Sequence, residues 1–239
     1  MKFYYDLFSQ PSRTLYILLK INKVPAEFNP LSLRKTQHLT AKFKEINRFQ
    51  KVPCIVDNDL KLSESIAILR YLDGKGVIDE RWYPKELHLR ARTDEYLAWH
   101  HNNTRLTLSL YFWQKWLHPL ITGRNPDPKQ LAETQKNMEK TLDSFENIWL
   151  ENRKYLTGSE INAADVFAAC EILQPMMAGY DPTRGRPNLG NWLQTVRSDL
   201  NPQFDEAHDI VMKISKASGI IQAQMKVVNF FRNLFRRKK

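Results

Sequence analysis

Phe3-Tyr4-Tyr5-Asp6-Leu7-Phe8-Ser9-Gln10-Pro11-Ser12-Arg13-Thr14-Leu15-Tyr16-Ile17-Leu18-Leu19, residues 3–19, reads as a strand that turns directly into a helix. Phe3-Tyr4-Tyr5 has the aromatic bias of a strand, and Arg13 to Leu19 carries the apolar spacing of a helix. Pro11 suits the first helical turn, because its missing N–H would be unpaired there anyway and its φ is already helical. Ser9 therefore falls at a helix N-terminus, beside unpaired N–H donors that favour negative charge. Ser9 and Ser12 stand at the spacing that redox proteins give two thiols, yet a serine pair cannot cycle through a disulfide. If this site handles a thiolate, the sulfur arrives with a ligand.

Outward from this stretch, strand and helix signals alternate: a strand near Lys2 to Tyr5, a helix from Pro11 to about Ile21, a strand from Glu27 to Leu31 and a helix from Ala41 to Asn47. Val52-Pro53-Cys54-Ile55-Val56 and Leu60-Lys61-Leu62 read as two short strands joined by the turn-forming Asp57-Asn58-Asp59, and Glu64 to Leu72 closes the unit as a helix. The order βαβα-ββα predicts an α/β domain with a mixed sheet over residues 1–76. Residues 77–86 read as a linker, and everything in 87–239 reads as helical, with its own core. Asn162-Ala163-Ala164-Asp165 predicts a capped helix start, with Asn162 as N-cap, Asp165 at N3, and Ile161 with Val166 as a hydrophobic staple. This is a folding signal, with no catalytic role.

With 239 residues, 42% hydrophobic and 11% aromatic, the chain is long enough to bury a substantial core. It opens on charged and aromatic residues without a signal-peptide run, and no stretch reaches the roughly 20 apolar residues of a membrane span, so a cytoplasmic protein is expected. The two cysteines, Cys54 and Cys170, fit neither a disulfide framework nor a metal spacing, and read as buried small hydrophobes. The net charge of +10 is uneven: residues 226–239 hold six of the 36 basic residues and no acid, leaving 30 basic against 26 acidic residues elsewhere. The basicity belongs mostly to one tail, so nucleic-acid binding by the whole protein is not indicated.

Several stretches resemble the cytosolic glutathione transferases, and among them the theta class: Tyr5 to Arg13, Gln37-His38-Leu39, Lys51-Val52-Pro53, Glu64 to Leu69, Arg90 to Trp99, and Gly185-Arg186-Pro187. The likeness runs from the first residue to about Val211. The serine site and Asp94-Glu95-Tyr96-Leu97-Ala98-Trp99 are what point to theta. The resemblance implies a thioredoxin-like N-terminal domain, an all-helical C-terminal domain, a homodimer, and glutathione as co-substrate without a metal. One departure is Asn162, where the family usually places Ser or Thr; Asn caps equally well.

The resemblance also assigns roles. It implies a cis Val52–Pro53 bond that turns the Val52 backbone toward glutathione, to pair with it as an added strand would. Ser65, at the start of a helix, is expected to take the γ-glutamyl carboxylate, and Glu64 to seat the γ-glutamyl amino group. His38 and Lys51 are candidates for the glycine carboxylate, and Arg13 and Gln10 for adding positive potential and orientation around the sulfur, with a structural helix role as the alternative for Arg13. Ser9 is expected to donate a hydrogen bond to the thiolate without itself attacking anything. A free thiol has a pKa of about 8.5; a bond to the charged form and a helix N-terminus together could lower it by roughly 1.5–3 units. Tyr4 and Tyr5 are rivals for this task, since other classes of the family use a tyrosine nearby.

The electrophile is expected between the domains, against the helix carrying His100, His101, Asn102 and Arg105 and the aromatic stretch Tyr111-Phe112-Trp113 with Trp116. There Arg105 could stabilise a leaving anion and Trp113 line the pocket. Neighbouring His100 and His101 point about 100° apart on a helix, which does not suit shared metal ligation. The tail from Lys226 leaves two readings open. The resemblance implies a lid helix whose Phe230 or Phe231 faces the electrophile, whereas its amphipathic basic pattern also suits membrane contact or nuclear targeting. The expected activity is conjugation of glutathione to small electrophiles such as alkyl halides and epoxides, or reduction of hydroperoxides, in detoxification. The alternative is a non-catalytic carrier or docking module on the same fold.

Overall fold

The structure, a computed structural model, describes residues 1–217. Strand β1 (Lys2–Tyr5) leads into helix α1 (Gln10–Ile21), followed by β2 (Glu27–Pro30), two 3₁₀ turns at Leu33–Lys35 and Gln37–Leu39, and α2 (Ala41–Ile46). A hairpin of β3 (Cys54–Asp57) and β4 (Leu60–Ser63) and the helix α3 (Ser65–Gly74) complete the first domain. The sheet order is β2-β1-β3-β4, with β1 parallel to β2 and antiparallel to β3, which is the mixed, thioredoxin-like sheet expected.

The register decides where a site can form. Tyr4 pairs with Cys54, Cys54 with Ser63, and Tyr5 with Pro30. The C-terminal ends of β1, β2 and β4 and the N-terminal end of β3 therefore share one edge. From that edge emerge Phe8-Ser9, the 3₁₀ turn carrying His38, Val52-Pro53, and Glu64-Ser65. The Val52–Pro53 bond is cis, as expected.

The second domain begins with α4 (Leu87–Trp99) and continues through π-type turns at His101–Leu108 and Trp113–Leu117 that flank α5 (Ser109–Phe112), to α6 (His118–Thr122). The long helix expected from Leu87 to about Leu117 is thus one helical path with two changes of winding. Helix α7 (Pro128–Ser144) ends in a third π-type turn, Phe145–Leu150; α8 (Ala163–Ile172), a 3₁₀ turn (Gln174–Ala178), α9 (Pro187–Leu200) and α10 (203–217) follow. The tail carrying Phe230 and Phe231 lies outside the described residues.

Helix α8 is the central post of this domain, and every residue of it is buried. Its start is the predicted capping box. Asn162 Oδ1 accepts from Ala164 N at 2.9 Å, and Asp165 Oδ2 accepts from Asn162 N at 3.1 Å. The other Asp165 oxygen accepts from Leu156 N and from Trp192 Nε1, tying the cap to the preceding loop and to α9. Helix α1 packs on α8, so with the sheet on its other side its residues Gln10 to Leu19 are all buried.

Residues 77–86, read as a linker, are pinned rather than loose. Ile78, Trp82 and Tyr83 are buried, Trp82 Nε1 donates to Asn22 Oδ1 at 3.1 Å, and the Arg90 guanidinium lies 4.1 Å from the Tyr83 ring centroid. Aromatic anchors on both sides fix how the domains meet. Both cysteines are free and buried, and burial pushes the Cys54 thiol up to about 12 and that of Cys170 up to about 11.

Candidate functional site

Ser9 is the N-cap of α1 in extended backbone conformation, but its hydroxyl caps nothing. It is half-buried and its Oγ lies 3.5 Å from Val52 O, so the serine and the cis-proline loop meet at the sheet edge. The segment before Ser9 is held by Asp6, whose carboxylate accepts from Phe8 N at 2.9 Å and from Leu33 N at 2.8 Å, while Ser9 N donates to Asp6 O. A strand-to-helix turn held in this way thus presents the Ser9 hydroxyl, engaged only by the long contact to Val52 O, beside the positive end of α1.

That hydroxyl opens into an interdomain cleft of about 870 Å³. On the sheet side Ser9, Gln10 and His38 line it; on the helical side its wall is mostly apolar, with Phe112, Trp113, Trp116, Leu117, Leu120 and Ile121. Trp113 is 43% exposed at the mouth, and Leu120 and Ile121 are also exposed. Gln10 Nε2 and Trp116 Nε1 are buried with no hydrogen-bond partner, and His38 Nδ1 is likewise unpaired. Sequence reasoning missed Arg34 and Gln174, both of which line the cleft. Arg34 follows the sheet edge through β2. Gln174 enters from the end of α8, and no local pattern distinguishes it.

The remaining predicted residues sit elsewhere on the same edge. Glu64 and Ser65 open α3, and Glu64 has φ 71 and ψ 111, a conformation costing about 1–3 kcal/mol in a non-glycine residue. Glu64, the N-cap residue, makes no side-chain cap, so the first N–H groups of α3 lack a capping acceptor from it. Glu64 lines a second groove of about 570 Å³ between α3 and α4, shared with Arg70, Asp94 and His101. Lys51 is exposed, with its carbonyl held by Asn47 Nδ2 at 2.7 Å; Lys51, Val52, Pro53 and Ser65 line neither cavity.

The helix around His100 is placed differently from the expectation. His100 is buried, His101 faces the second groove, and none of His100, His101, Asn102 and Arg105 lines the cleft, whose wall begins at Ser109. Arg105 is directed instead to Glu171 of α8, with Nε 2.6 Å from Oε1, because that carboxylate is fully buried and needs a cation. Arg13 is also fully buried and does not face the cleft.

The rival tyrosines lie away from the cleft. Tyr4 packs against Phe43, and Tyr5 stacks on Phe3 at 5.0 Å between ring centroids; burial and the Glu206 carboxylate push the Tyr5 hydroxyl pKa up, making it a poorer donor. Among the described residues, no group of three His, Cys, Asp or Glu side chains could hold a metal ion, and no helix is long and apolar enough to cross a membrane.

Comparison with known proteins matches this geometry. Residues 3–74 match the family model of the glutathione S-transferase N-terminal domain and residues 102–199 that of the C-terminal domain. The chain is 40% identical to glutathione S-transferase theta-1 of Homo sapiens over 214 residues, covering 89% of each chain, and 37% identical to theta-3 of Mus musculus over 227 residues, covering 95% of this chain and 94% of the relative. Its fold superposes on human glutathione transferase theta-2, solved in complex with glutathione and an unknown ligand, with TM-score 0.86, 34% identity and 97% of each chain covered. A serine at the head of α1, a cis-proline loop against it and an interdomain cleft above them are thus features of a chain that belongs to the theta class of the glutathione S-transferase family.

Proposed function

We propose that this enzyme binds glutathione along the shared sheet edge and holds its sulfur as a thiolate by a hydrogen bond from Ser9. The observation that carries the reading is the Ser9 hydroxyl: half-buried, used by no cap, and set between the Val52 carbonyl and the apolar cleft. Glutathione lies with its cysteinyl backbone against Val52, its γ-glutamyl carboxylate at Ser65 and the positive end of α3, and its γ-glutamyl amino group at Glu64. The positive φ of Glu64, at the junction of β4 and α3, supports this reading, since strained backbone is typical of ligand sites. His38 and Lys51 hold the glycine carboxylate, and Gln10 orients the sulfur.

The electrophile occupies the cleft against Phe112, Trp113 and Trp116. An apolar wall suits small apolar electrophiles such as alkyl halides and epoxides. With an alkyl halide, the thiolate sulfur forms a bond to carbon as the carbon–halogen bond breaks, and the halide leaves with the electron pair. With a hydroperoxide, the same thiolate attacks the terminal oxygen as the O–O bond breaks and the alkoxide leaves to be protonated as the alcohol. The sulfenic acid of glutathione so formed condenses with a second glutathione, releasing water and glutathione disulfide. Ser9 keeps its proton throughout, and its bond raises the thiolate fraction at neutral pH. The protein acts as a homodimer in this reading, which light scattering in solution checks.

The test is glutathione-dependent turnover of a panel of alkyl halides, epoxides and hydroperoxides by the wild type, Ser9→Ala, Tyr4→Phe and Tyr5→Phe. Loss of activity in Ser9→Ala alone is expected. Loss in a tyrosine variant with Ser9→Ala near normal refutes the assignment. Tight glutathione binding without turnover of any member points instead to a carrier.

A further inference from the structure

Arg13 is a large, fully buried cation, and its donors go to neutral acceptors rather than to a carboxylate. Nη1 donates to Leu7 O at 2.9 Å and to Phe8 O at 3.4 Å, while Nη2 donates to Cys170 O at 2.9 Å and to Gln174 Oε1 at 2.7 Å. Its Nε has no partner. The buried carboxylate beside it, Glu171, is taken up by Arg105, and its second oxygen is unpaired. Burying a guanidinium is costly, and well-packed apolar side chains commonly serve stability as well or better. The arrangement secures something else: one planar fork joins the two residues that precede Ser9 to the end of α8 in the other domain. Gln174 lines the same cleft as Ser9, so the guanidinium also sets the span between the hydroxyl and the opposite wall. Asp6 holds this segment through its N–H groups, and Arg13 holds it through its carbonyls.

We propose that Arg13 is a positioning residue for the Ser9 site, clamping the Leu7 and Phe8 carbonyls to Cys170 and Gln174 and thereby aiming the Ser9 hydroxyl at the sulfur. The proposal rests on the reading of Ser9 as the thiolate donor. Hydrogen-bond strength falls steeply with misalignment, so a loosened turn weakens that donor even with its hydroxyl intact. Lysine keeps the charge but cannot reproduce a fork that reaches four acceptors in two domains. The other charged or titratable groups near this turn are Asp6 on its own segment, Arg34 and His38 on the sheet side of the cleft, Glu171 and Arg105 behind Arg13, and Cys170 of α8 and His208 of α10, both of which burial keeps neutral.

The experiment is an ultraviolet titration of the enzyme-bound glutathione thiol, without electrophile, in the wild type, Ser9→Ala, Arg13→Lys, Gln174→Met, and each of the latter two combined with Ser9→Ala. Ser9→Ala should raise the thiol pKa by about 1–2 units and Arg13→Lys by about one, or about tenfold less thiolate at a given pH below both values. Gln174→Met, which removes one anchor, should give a smaller rise. In the Ser9→Ala background neither change should shift the pKa further, because the donor they aim is gone. Should Arg13→Lys fail to fold, the Gln174→Met cycle carries the same test. A lowered Tm with an unmoved pKa in both single variants would make Arg13 merely structural and overturn the proposal. A shift that persists in full without Ser9 also overturns it, since the charge would then act on the sulfur directly. If Ser9→Ala leaves the pKa unchanged, the reading of Ser9 falls, and this proposal with it.

Discussion

The protein should lose stability on mild acidification through two histidines that play no part in catalysis. His100 and His208 are buried; each uses Nδ1 on a backbone carbonyl, of Leu97 at 2.6 Å and Phe204 at 2.8 Å, and leaves Nε2 unpaired. Burial, with His101 and Arg105 near the first and Arg13 near the second, pushes both down to about 3. Unfolded, each titrates near 6.5, so between about pH 6.5 and 3 the unfolded chain binds more protons and stability falls as pH falls. From pH 7.5 to 5.5 each histidine contributes a loss of about 1.4 kcal/mol, close to 3 kcal/mol for the pair. Asp165 works in the opposite direction, because burial raises it to about 6; its share is about 0.8 kcal/mol, so these three groups together contribute a loss of about 2 kcal/mol. Urea unfolding at the two pH values and fixed ionic strength measures this. The sharper comparison is His208→Phe, beside the Phe204 ring at 4.2 Å, in which the loss on acidification shrinks by about 1.4 kcal/mol while the Asp165 contribution cancels. An identical pH dependence in wild type and variant would refute the reasoning.

Two further perturbations separate folding from chemistry. Arg105→Met leaves the Glu171 carboxylate buried without its cation and should cost about 3–5 kcal/mol in urea unfolding, a loss largely recovered in the double variant with Glu171→Gln. Reduced turnover at unchanged stability would instead place Arg105 against the substrate. Asn162→Ala removes the acceptor for Ala164 N and should cost about 1–2 kcal/mol with kcat/KM unchanged; a large loss of kcat/KM would contradict its purely structural role.

Local signals in the sequence located most of this fold. The first strand, Lys2–Tyr5, and the capping box at Asn162 and Asp165 are where the residues say, because strand bias and caps act within a few positions. The residues proposed for glutathione, from Ser9 to Ser65, share one sheet edge because the strand register brings four chain ends to it, although only Ser9, Gln10 and His38 of them line the interdomain cleft. What the sequence did not reveal is long-range pairing. Arg105 looked available to an anion because its partner, Glu171, lies 66 residues away on another helix. Gln174 and Arg13 meet across 161 residues, and neither carries a local mark of that contact. Residues 77–86 read as a linker because strand signals stop after Asp73-Gly74-Lys75-Gly76, and that Trp82 and Tyr83 are buried was not legible because their partners lie in other elements. Helical periodicity likewise does not reveal where winding loosens, as at His101–Leu108, since the extra residue per turn is accommodated by packing against α7 and α8.

The central claim is that Ser9 keeps the sulfur of glutathione ionised at neutral pH. Its most direct measurement is the pH dependence of kcat/KM for one alkyl halide, at saturating glutathione, in the wild type and Ser9→Ala. An acid limb is expected in the wild type about 1.5–3 units below the value of about 8.5 for a free thiol, moving up by about 1–2 units in the variant. An acid limb at the same pH in both proteins would contradict it.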